Sequence, residues 1–377
     1  MSMLPFFRFI GRGHYPFILS LLLLSVCALG LLMLYSAGNG LHPWASRQMV
    51  HMGVGFVLFV VISYIDLRFW LTHATLLFGL TLALLIAVEL LGFIGMGAKR
   101  WIHLYLFQVQ PSELTKLSLI LLVASHFHFL GEKAPKLDNL VIPVLAIVAS
   151  SFLVLRQPDL GTALILVAVG VSMLFAAGTW WGVFVTGGFT FLLSLPVAWT
   201  FLRAYQKRRI LTFLNPDSDP LGGGYHLLQS KIAVGSGGVF GKGLGQGTQS
   251  QLDFLPEKQT DFIFTLLCEE WGLMGALLLF VLFMGLLVYG YWTAFRCNAL
   301  FTKLVVVGVM SMFFFHIFMN VGMVLGVLPI VGIPLPLMSY GGTSLMTFMV
   351  GFGWVAAARA QHHVRLPFGG EHSRDFF

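Results

Sequence analysis

The fold is decided by the stretch PFILSLLLLSVCALGLLMLYSAG at residues 16–38, which contains no charged side chain. A helix needs about 20 mainly apolar residues to cross a hydrocarbon core about 30 Å thick. This stretch is too long for a cleaved signal peptide and leads directly into a second apolar run. The same template predicts ten spanning helices in all, at 16–38, 47–65, 69–94, 112–130, 137–156, 160–178, 180–202, 262–290, 304–328 and 340–358.

The composition agrees with a membrane protein and excludes a soluble one. Hydrophobic residues make up 58% of the 377 residues and charged residues only 10%, against about 25% charged in typical soluble domains. The net charge of +7 favours anionic membrane lipid as a partner, and no nucleic-acid motif is present. The three cysteines show no spacing typical of a disulfide framework or a metal site. We therefore predict an all-α integral membrane fold, organised as one polytopic domain over 1–377.

The distribution of Lys and Arg predicts the orientation. With ten spans both termini lie on one side, and most of the Lys and Arg of the short connections then fall on that side, which places both termini in the cytoplasm. Residues 203–260 between spans seven and eight become a long extracytoplasmic loop. Within it, 225–234 (YHLLQSKIAV) has helical spacing and predicts an amphipathic helix on the membrane surface.

Asp261 is the first candidate for chemistry, because it lies where the long loop enters a spanning helix. Two interpretations are open. One is that Thr260 or Asp261 caps the helix N-terminus. The other is a general base at the membrane boundary, whose pKa is raised by partial burial beside Phe262 and Phe264.

Three further groups of polar residues lie near the ends of predicted spans, where ionisable groups are costly and are candidates for function. Arg100 precedes Glu113 and Lys116, which lie on one helix face and form an ion pair in the simplest interpretation. Asp159, in a tight connection, fits a helix cap at least as well as a ligand. Ser339 and Tyr340 lie in a Gly- and Pro-rich stretch that predicts irregular backbone lining a cavity, able to bind a sugar or phosphate.

The glycine-rich run at 235–247 has two structural interpretations, a flexible loop or a segment that packs closely against its neighbours. It lacks the phosphate-loop pattern and no strand precedes it, so a nucleotide site is disfavoured.

Taken together and in order, these motifs resemble those of the shape, elongation, division and sporulation (SEDS) family of bacterial cell-wall proteins. The motifs are GAKRW at 97–101, QPSELTK at 110–116, QPDLGT at 157–162, NPDSDPLGGGYHLLQS at 215–230, GSGGVFGKG at 235–243, LPEKQTDFIF at 255–264 and PLMSYGGT at 336–343. The family pattern has Gln or Arg where this chain has Lys99, a conservative departure. The short termini and the DSDP stretch resemble the elongation (rod-shape) members more than the division members.

The resemblance implies a ten-helix fold in the bacterial cytoplasmic membrane and peptidoglycan glycosyltransferase activity on lipid II, an undecaprenyl-pyrophosphate disaccharide-pentapeptide. It also implies a class B penicillin-binding transpeptidase as partner. The essential acid of the family falls on Asp261. The polar cavity residues of the family fall on Arg100, Glu113, Lys116, Asp159, Lys231 and Lys242.

This activity makes chemical sense of the charged residues. Lys116, Arg100, Lys231 and Lys242 are candidates to stabilise the pyrophosphate that leaves, and Asp261 is the candidate base for the attacking hydroxyl. One base and direct displacement predict inversion at the anomeric carbon. A divalent cation remains an option for the leaving group, although the sequence shows no ligand cluster for one.

Two other functions remain open at this point. A transporter of the same lipid precursor would use spans with polar interiors, but the two halves show no repeat of the kind many transporters have. A non-catalytic scaffold that activates a transpeptidase would leave the clustered polar motifs unexplained.

Overall fold

The computed structural model describes residues 16–91, 93–95, 98–104, 107–131, 137–201, 204–216, 222–252, 254–255, 257–364 and 366. These residues form thirteen α-helices and three short strands. The helices are α1 Phe17–Ala37, α2 Trp44–Tyr64, α3 Leu67–Leu91, α4 Pro111–Leu130, α5 Val141–Arg156, α6 Leu160–Ala176, α7 Trp181–Phe201, α8 Ala204–Leu214, α9 Gly223–Ser236, α10 Thr248–Gln251, α11 Ile263–Arg296, α12 Leu300–Val324 and α13 Gly342–Ala360.

Each of the predicted apolar segments lies on one of the long helices. Within the described residues, seven stretches are long and apolar enough to cross a membrane, namely Phe17–Ala37, Trp44–Tyr64, Leu67–Leu90, Pro111–Leu130, Leu137–Arg156, Ile263–Arg296 and Leu300–Val324. Helices α6 and α7 are apolar over shorter lengths. The chain is therefore a multi-pass helical membrane protein, as its composition predicts.

A small antiparallel sheet between α3 and α4 was not expected from the all-α prediction. Its strands are β1 Phe93–Gly95, β2 Ala98–Leu104 and β3 Phe107–Val109, in the order β1-β2-β3. Gly95 pairs with Ala98 and Leu104 pairs with Phe107, at the ends of the two strand pairs. The stretch is rich in aromatic and β-branched residues, which favour extended backbone.

Helix α12 is the centre of the bundle and packs against α4, α6, α11 and α13. A close approach is made at Gly308, where an added Cβ would lie 2.7 Å from Ile120 and 2.9 Å from the Met173 sulfur. Helix association in lipid depends on such packing at small residues, because no hydrophobic driving force acts between helices there. Helix α7 is the opposite case. Several of its large side chains, Phe189 and Leu192 among them, are more than 60% exposed, which suits contact with lipid.

The glycine-rich segment that follows α9 packs closely onto α11. Close packing was one of the two interpretations of this run, the other being a flexible loop. Helix α11 breaks at Gly272, where φ is +64°. There the backbone amides of Leu273 and Met274 donate to the carbonyls of Gly238 and Val239, at 2.9 and 3.1 Å. A Cβ at Gly237 would lie 1.9 Å from the Cys268 carbonyl oxygen. The loop thus replaces the helical hydrogen bonds that the break removes, which holds α9 against the first turns of α11.

This packing predicts opposite effects of alanine at two neighbouring glycines. Gly237→Ala should lower the melting temperature of the purified protein, because the new methyl group overlaps the Cys268 carbonyl and overpacking of this kind costs about 1–3 kcal/mol. Gly235→Ala is the matched control, since it lies in α9 and no atom lies within 4 Å of the added Cβ. It should leave the melting temperature unchanged or raise it. Equal melting temperatures for the two variants would contradict the close packing.

Candidate active site

Asp261 lies in the turn that leads into α11, and its backbone is held from two sides. The Asn320 side-chain amide donates to the Asp261 carbonyl at 2.9 Å and to the Ile333 carbonyl at 2.7 Å. Gly332 lies against the carboxylate, because a Cβ added there would be 3.3 Å from Oδ2. Helix α11 has Phe262 as its N-cap residue and no side-chain cap bond. The capping interpretation of Thr260 and Asp261 is therefore wrong, and the Asp261 carboxylate is available for another role.

Ser339 and Tyr340 hold the same turn in place. The Ser339 hydroxyl donates to the Thr260 carbonyl at 2.6 Å and accepts from the Leu335 amide at 2.8 Å. The Tyr340 amide donates to the Gln259 carbonyl at 2.8 Å. Both connections tie the stretch before α13 to the residues just before Asp261. The Ser339 hydroxyl, which the sequence suggested as a ligand group, thus helps to position this turn.

Burial and the neighbouring charges together set the protonation of Asp261. Their combined effect raises the pKa of its carboxyl from 3.8 to about 6: burial contributes most, the negative charges of Glu257 and Asp159 also raise the pKa, and the Arg209 guanidinium lowers it. A carboxylate with a pKa near the working pH accepts a proton more readily than an ordinary aspartate. The raised pKa makes Asp261 a candidate for proton transfer near neutral pH.

Asp159 caps α6, as one interpretation of the sequence predicted. Its carboxylate accepts from the Thr162 amide at 3.1 Å and from the Thr162 hydroxyl at 3.0 Å. The first turn of α6 packs on the segment that also borders Asp261, since a Cβ at Gly161 would lie 2.7 Å from Ile333. Asp159 is therefore a neighbour of Asp261 across this segment.

Glu113 and Lys116 form the predicted ion pair on α4, and His316 of α12 completes a cluster. The Lys116 ammonium donates to Glu113 Oε1 at 2.8 Å and lies 2.8 Å from His316 Nε2. His316 Nδ1 lies 2.7 Å from the Met312 carbonyl, which requires the proton on Nδ1 and leaves Nε2 to accept from Lys116. All three side chains are buried. The Lys116 charge is therefore compensated inside the bundle.

Lys242 is engaged in a second ion pair, with Glu269 at 2.8 Å. Glu269 is fully buried and also accepts from the backbone amides of Gln249 and Ser250, at 2.9 and 3.1 Å. This carboxylate organises the end of the glycine-rich segment and lies outside the surroundings of Asp261. Lys231 lies over Gly326, where an added Cβ would be 2.1 Å from its Cε.

The structure therefore separates the predicted site residues into groups. Asp261, Asp159, Ser339 and Tyr340 surround one turn, Glu113 and Lys116 form a buried cluster with His316, and Lys242 belongs to the loop on α11. Arg100 lies in β2, and its side chain falls outside the described part of the chain. Among the described residues no group of three or more His, Cys, Asp or Glu side chains lies together in a way that could hold a metal ion.

Three residues of the site were not singled out from the sequence. Asn320 and His316 are the two polar residues in the otherwise apolar C-terminal half of α12, residues 312–324, and lie four positions apart, on one face. Polar residues at membrane depth are expected to face the interior and to carry a role, so this signal was present. Arg209 lies in the basic run KRR at 207–209, where nothing local distinguishes it from its neighbours.

The fold and the site define a polytopic helical membrane protein with buried ion-paired side chains and a carboxyl group of raised pKa just before one helix. A family model for FtsW, RodA and SpoVE, described as cell cycle proteins, matches residues 16–364. The chain belongs to this family, the SEDS family that the motifs predicted.

Relatives with known names and structures are similar over most of the chain. The peptidoglycan glycosyltransferase MrdB of Escherichia coli K12 is 40% identical over 350 residues, which cover 92% of this chain and 94% of MrdB. A chain in the structure of a peptidoglycan synthase complex has a TM-score of 0.80 and 32% identity, covering 93% of this chain and 98% of that chain. The rod shape determining protein RodA of Thermus thermophilus has a TM-score of 0.71 and 28% identity, covering 93% and 98%.

The buried cluster predicts the outcome of a double-mutant cycle. Lys116→Met should destabilise the protein by about 3–5 kcal/mol, because it leaves Glu113 as an unpaired buried charge. Adding Glu113→Gln should restore most of the melting temperature, since no charge then remains to be compensated. Lys303→Met, a lysine of α12 outside the cluster, serves as the control for loss of a positive charge. If the effects of the two substitutions on stability simply added, so that Glu113→Gln restored none of the melting temperature lost in Lys116→Met, the pairing would be contradicted.

Proposed function

We propose that this protein is a peptidoglycan glycosyltransferase that polymerises lipid II during cell elongation, with Asp261 as the general base. The names of similar proteins support the activity, because MrdB of E. coli is a peptidoglycan glycosyltransferase. The observation that carries the residue assignment is the Asp261 carboxyl, whose pKa is raised to about 6, mainly by burial. The similarity to rod shape determining RodA supports the role in elongation.

The proposed topology has ten spans in the cytoplasmic membrane, with both termini in the cytoplasm. The ten helices α1–α7 and α11–α13 each have 16 or more residues and coincide with the predicted segments. Residues 203–260 then lie on the outer face. This arrangement brings Asp261 to the extracytoplasmic surface of the cytoplasmic membrane. There the sugar head groups of two lipid-linked substrates meet while their tails stay in the bilayer.

In the proposed reaction the acceptor hydroxyl attacks the anomeric carbon of the donor. A bond forms between the hydroxyl oxygen and that carbon, its proton passes to Asp261, and the bond to the pyrophosphate oxygen breaks with its electron pair. A single carboxylate that removes a proton fits direct displacement and inversion. The negative charge that develops on the pyrophosphate needs a cation or a polarised amide nearby.

The ion pairs of the lysines change which cation is the strongest candidate to stabilise the pyrophosphate. Lys116 and Lys242 are both engaged in ion pairs at 2.8 Å, so their charges are already largely compensated. Arg209 lies close enough to influence the pKa of Asp261, which makes it a stronger candidate than either lysine. Lys231 and Arg100 remain candidates on the strength of the family motifs, as do Glu113, Asp159, Ser339 and Tyr340 for substrate contacts.

The proposed partner is a class B penicillin-binding transpeptidase, which crosslinks the strands that this enzyme makes. The structure of a peptidoglycan synthase complex that coordinates polymerization and crosslinking contains a chain with the same fold, at a TM-score of 0.80. A polymerase and a crosslinking enzyme acting on one nascent strand gain from being held together.

Asp261→Asn tests the function, because it keeps the size of the side chain and removes the base. Purified variant given labelled lipid II should polymerise about 10²–10⁴-fold more slowly and still bind the substrate. Glu257→Gln is the matched control, a carboxylate in the same turn, and should keep the full rate at neutral pH. Lipid translocation measured in the same vesicles separates polymerisation from transport. Normal polymerisation by Asp261→Asn would contradict the assignment, and translocation without polymerisation by the wild type would favour a transporter.

The pH dependence supplies a second test. A base acts only when it is deprotonated, so kcat/KM should rise about tenfold per pH unit below the pKa of Asp261, about 6, and level off above it. Glu257→Gln removes one of the charges that raise this pKa, so its profile should shift to lower pH. A flat profile between pH 4.5 and 8, or the same midpoint in both proteins, would disagree with the proposed base.

A further inference from the structure

A cavity of about 400 Å³ opens beside Asp261, between α8, α9 and the first residue after Asp261. Volumes of about 300–1,000 Å³ are typical of small-molecule sites. Helix α8 contributes two arginines and a phenylalanine, α9 contributes a histidine and a leucine, and the α11 N-cap contributes a second phenylalanine. These residues are Arg208, Arg209, Phe213, His226, Leu227 and Phe262.

The lining combines positive charge with apolar surface. The described lining residues include the guanidinium groups of Arg208 and Arg209. Gly222 and Gly223, at the N-terminus of the 14-residue helix α9, also line the cavity, and backbone amides at a helix start add to the attraction for an anion. The remaining lining is mostly aromatic and aliphatic. The chemistry that fits both features is an amphiphile with an anionic group joined directly to an apolar chain.

The cavity and Asp261 belong to one locality. Phe262, which follows Asp261 in the chain, lines the cavity, and Arg209 both lines it and acts electrostatically on Asp261. The Arg209 guanidinium donates to the Val331 carbonyl at 3.2 Å, in the segment that lies against the Asp261 carboxylate. This bond fixes the position of the guanidinium relative to the base and leaves its other donors for a ligand.

We propose that this cavity binds the donor substrate by its pyrophosphate and the adjoining isoprene units, with Arg208 and Arg209 as the phosphate ligands. The inference rests on the proposed function and deepens it, because it assigns the donor subsite. The cavity is too small to hold a disaccharide-pentapeptide as well, so the sugar of the donor projects out of it. Because the attacking and leaving oxygens lie on opposite sides of one carbon, the acceptor hydroxyl then approaches from the side of Asp261.

In this arrangement the two charged groups act at the two ends of one displacement. The electron pair of the breaking bond goes to the pyrophosphate oxygen, where the guanidinium groups stabilise the added negative charge. The proton of the acceptor goes to Asp261. Arginine suits the first task because its planar donors bind two phosphate oxygens at once.

The test measures binding of farnesyl pyrophosphate and of farnesol to the full-length protein in uncharged nanodiscs, by calorimetry. The double variant Arg208→Gln/Arg209→Gln should bind farnesyl pyrophosphate about 10- to 100-fold more weakly and farnesol as the wild type does. Arg209→Lys keeps the charge but loses the bidentate geometry, so it should fall between them. Lys207→Gln is the matched control, because Lys207 lies on the same helix, with its ammonium 5.9 Å from the Trp199 ring centroid, and does not line the cavity. It should bind as the wild type does.

The outcomes separate this inference from the proposed function. Asp261→Asn should bind farnesyl pyrophosphate at least as tightly as the wild type, so its polymerisation defect tests the base and leaves the donor subsite to the arginine variants. Unchanged binding by the double variant with an unchanged melting temperature would overturn the inference, as would an equal loss in Lys207→Gln. Nanodiscs containing phosphatidylglycerol should not displace the probe, and full displacement by that lipid would show a general anionic-lipid site and overturn the assignment to the donor.

Discussion

The hydrogen bonds of Asn320 are the interaction on which the candidate site depends. One side-chain amide joins the carbonyls of Asp261 and Ile333, so it fixes the start of α11 relative to the irregular segment before α13. Irregular backbone at membrane depth persists only where its polar groups find partners inside the protein. Ser339 meets the same need at the Thr260 carbonyl. The site is therefore a place where the chain leaves helical structure and side chains supply the missing hydrogen bonds.

The same constraint explains why the buried charges are paired. An uncompensated charge inside a helical bundle is strongly unfavourable, so the buried Lys116 lies between Glu113 and His316, and the buried Glu269 pairs with the partly exposed Lys242. The contacts of these two lysines hold α4 to α12 and the glycine-rich loop to α11. Arg208 and Arg209, in contrast, line a cavity.

The sequence predicted most of the fold and the central residue of the site. Apolar runs predicted the long helices, because a segment that crosses lipid must form all its backbone hydrogen bonds within itself. Asp261 was recognisable as a carboxylate at the start of such a run. The partners of Asp261 were not predictable in the same way. Asn320 and Arg209 interact with Asp261 only through tertiary contacts, which no local sequence pattern encodes. Asn320, for example, lies 59 positions from Asp261 in the chain. The short sheet at β1–β3 was missed because its strands are set by pairing rather than by hydropathy.

The central claim is that the pKa of Asp261 is raised to about 6, so that the carboxylate is deprotonated at neutral pH and accepts a proton more readily than an ordinary aspartate does. Infrared difference spectra of the wild type against Asp261→Asn measure this directly, because a protonated carboxyl group gives its own carbonyl stretching band. The band assigned to Asp261 should disappear with a midpoint near pH 6, the pKa that burial and the neighbouring charges produce. A midpoint near the ordinary value of 3.8, or a band that persists unchanged at pH 9, would contradict the account.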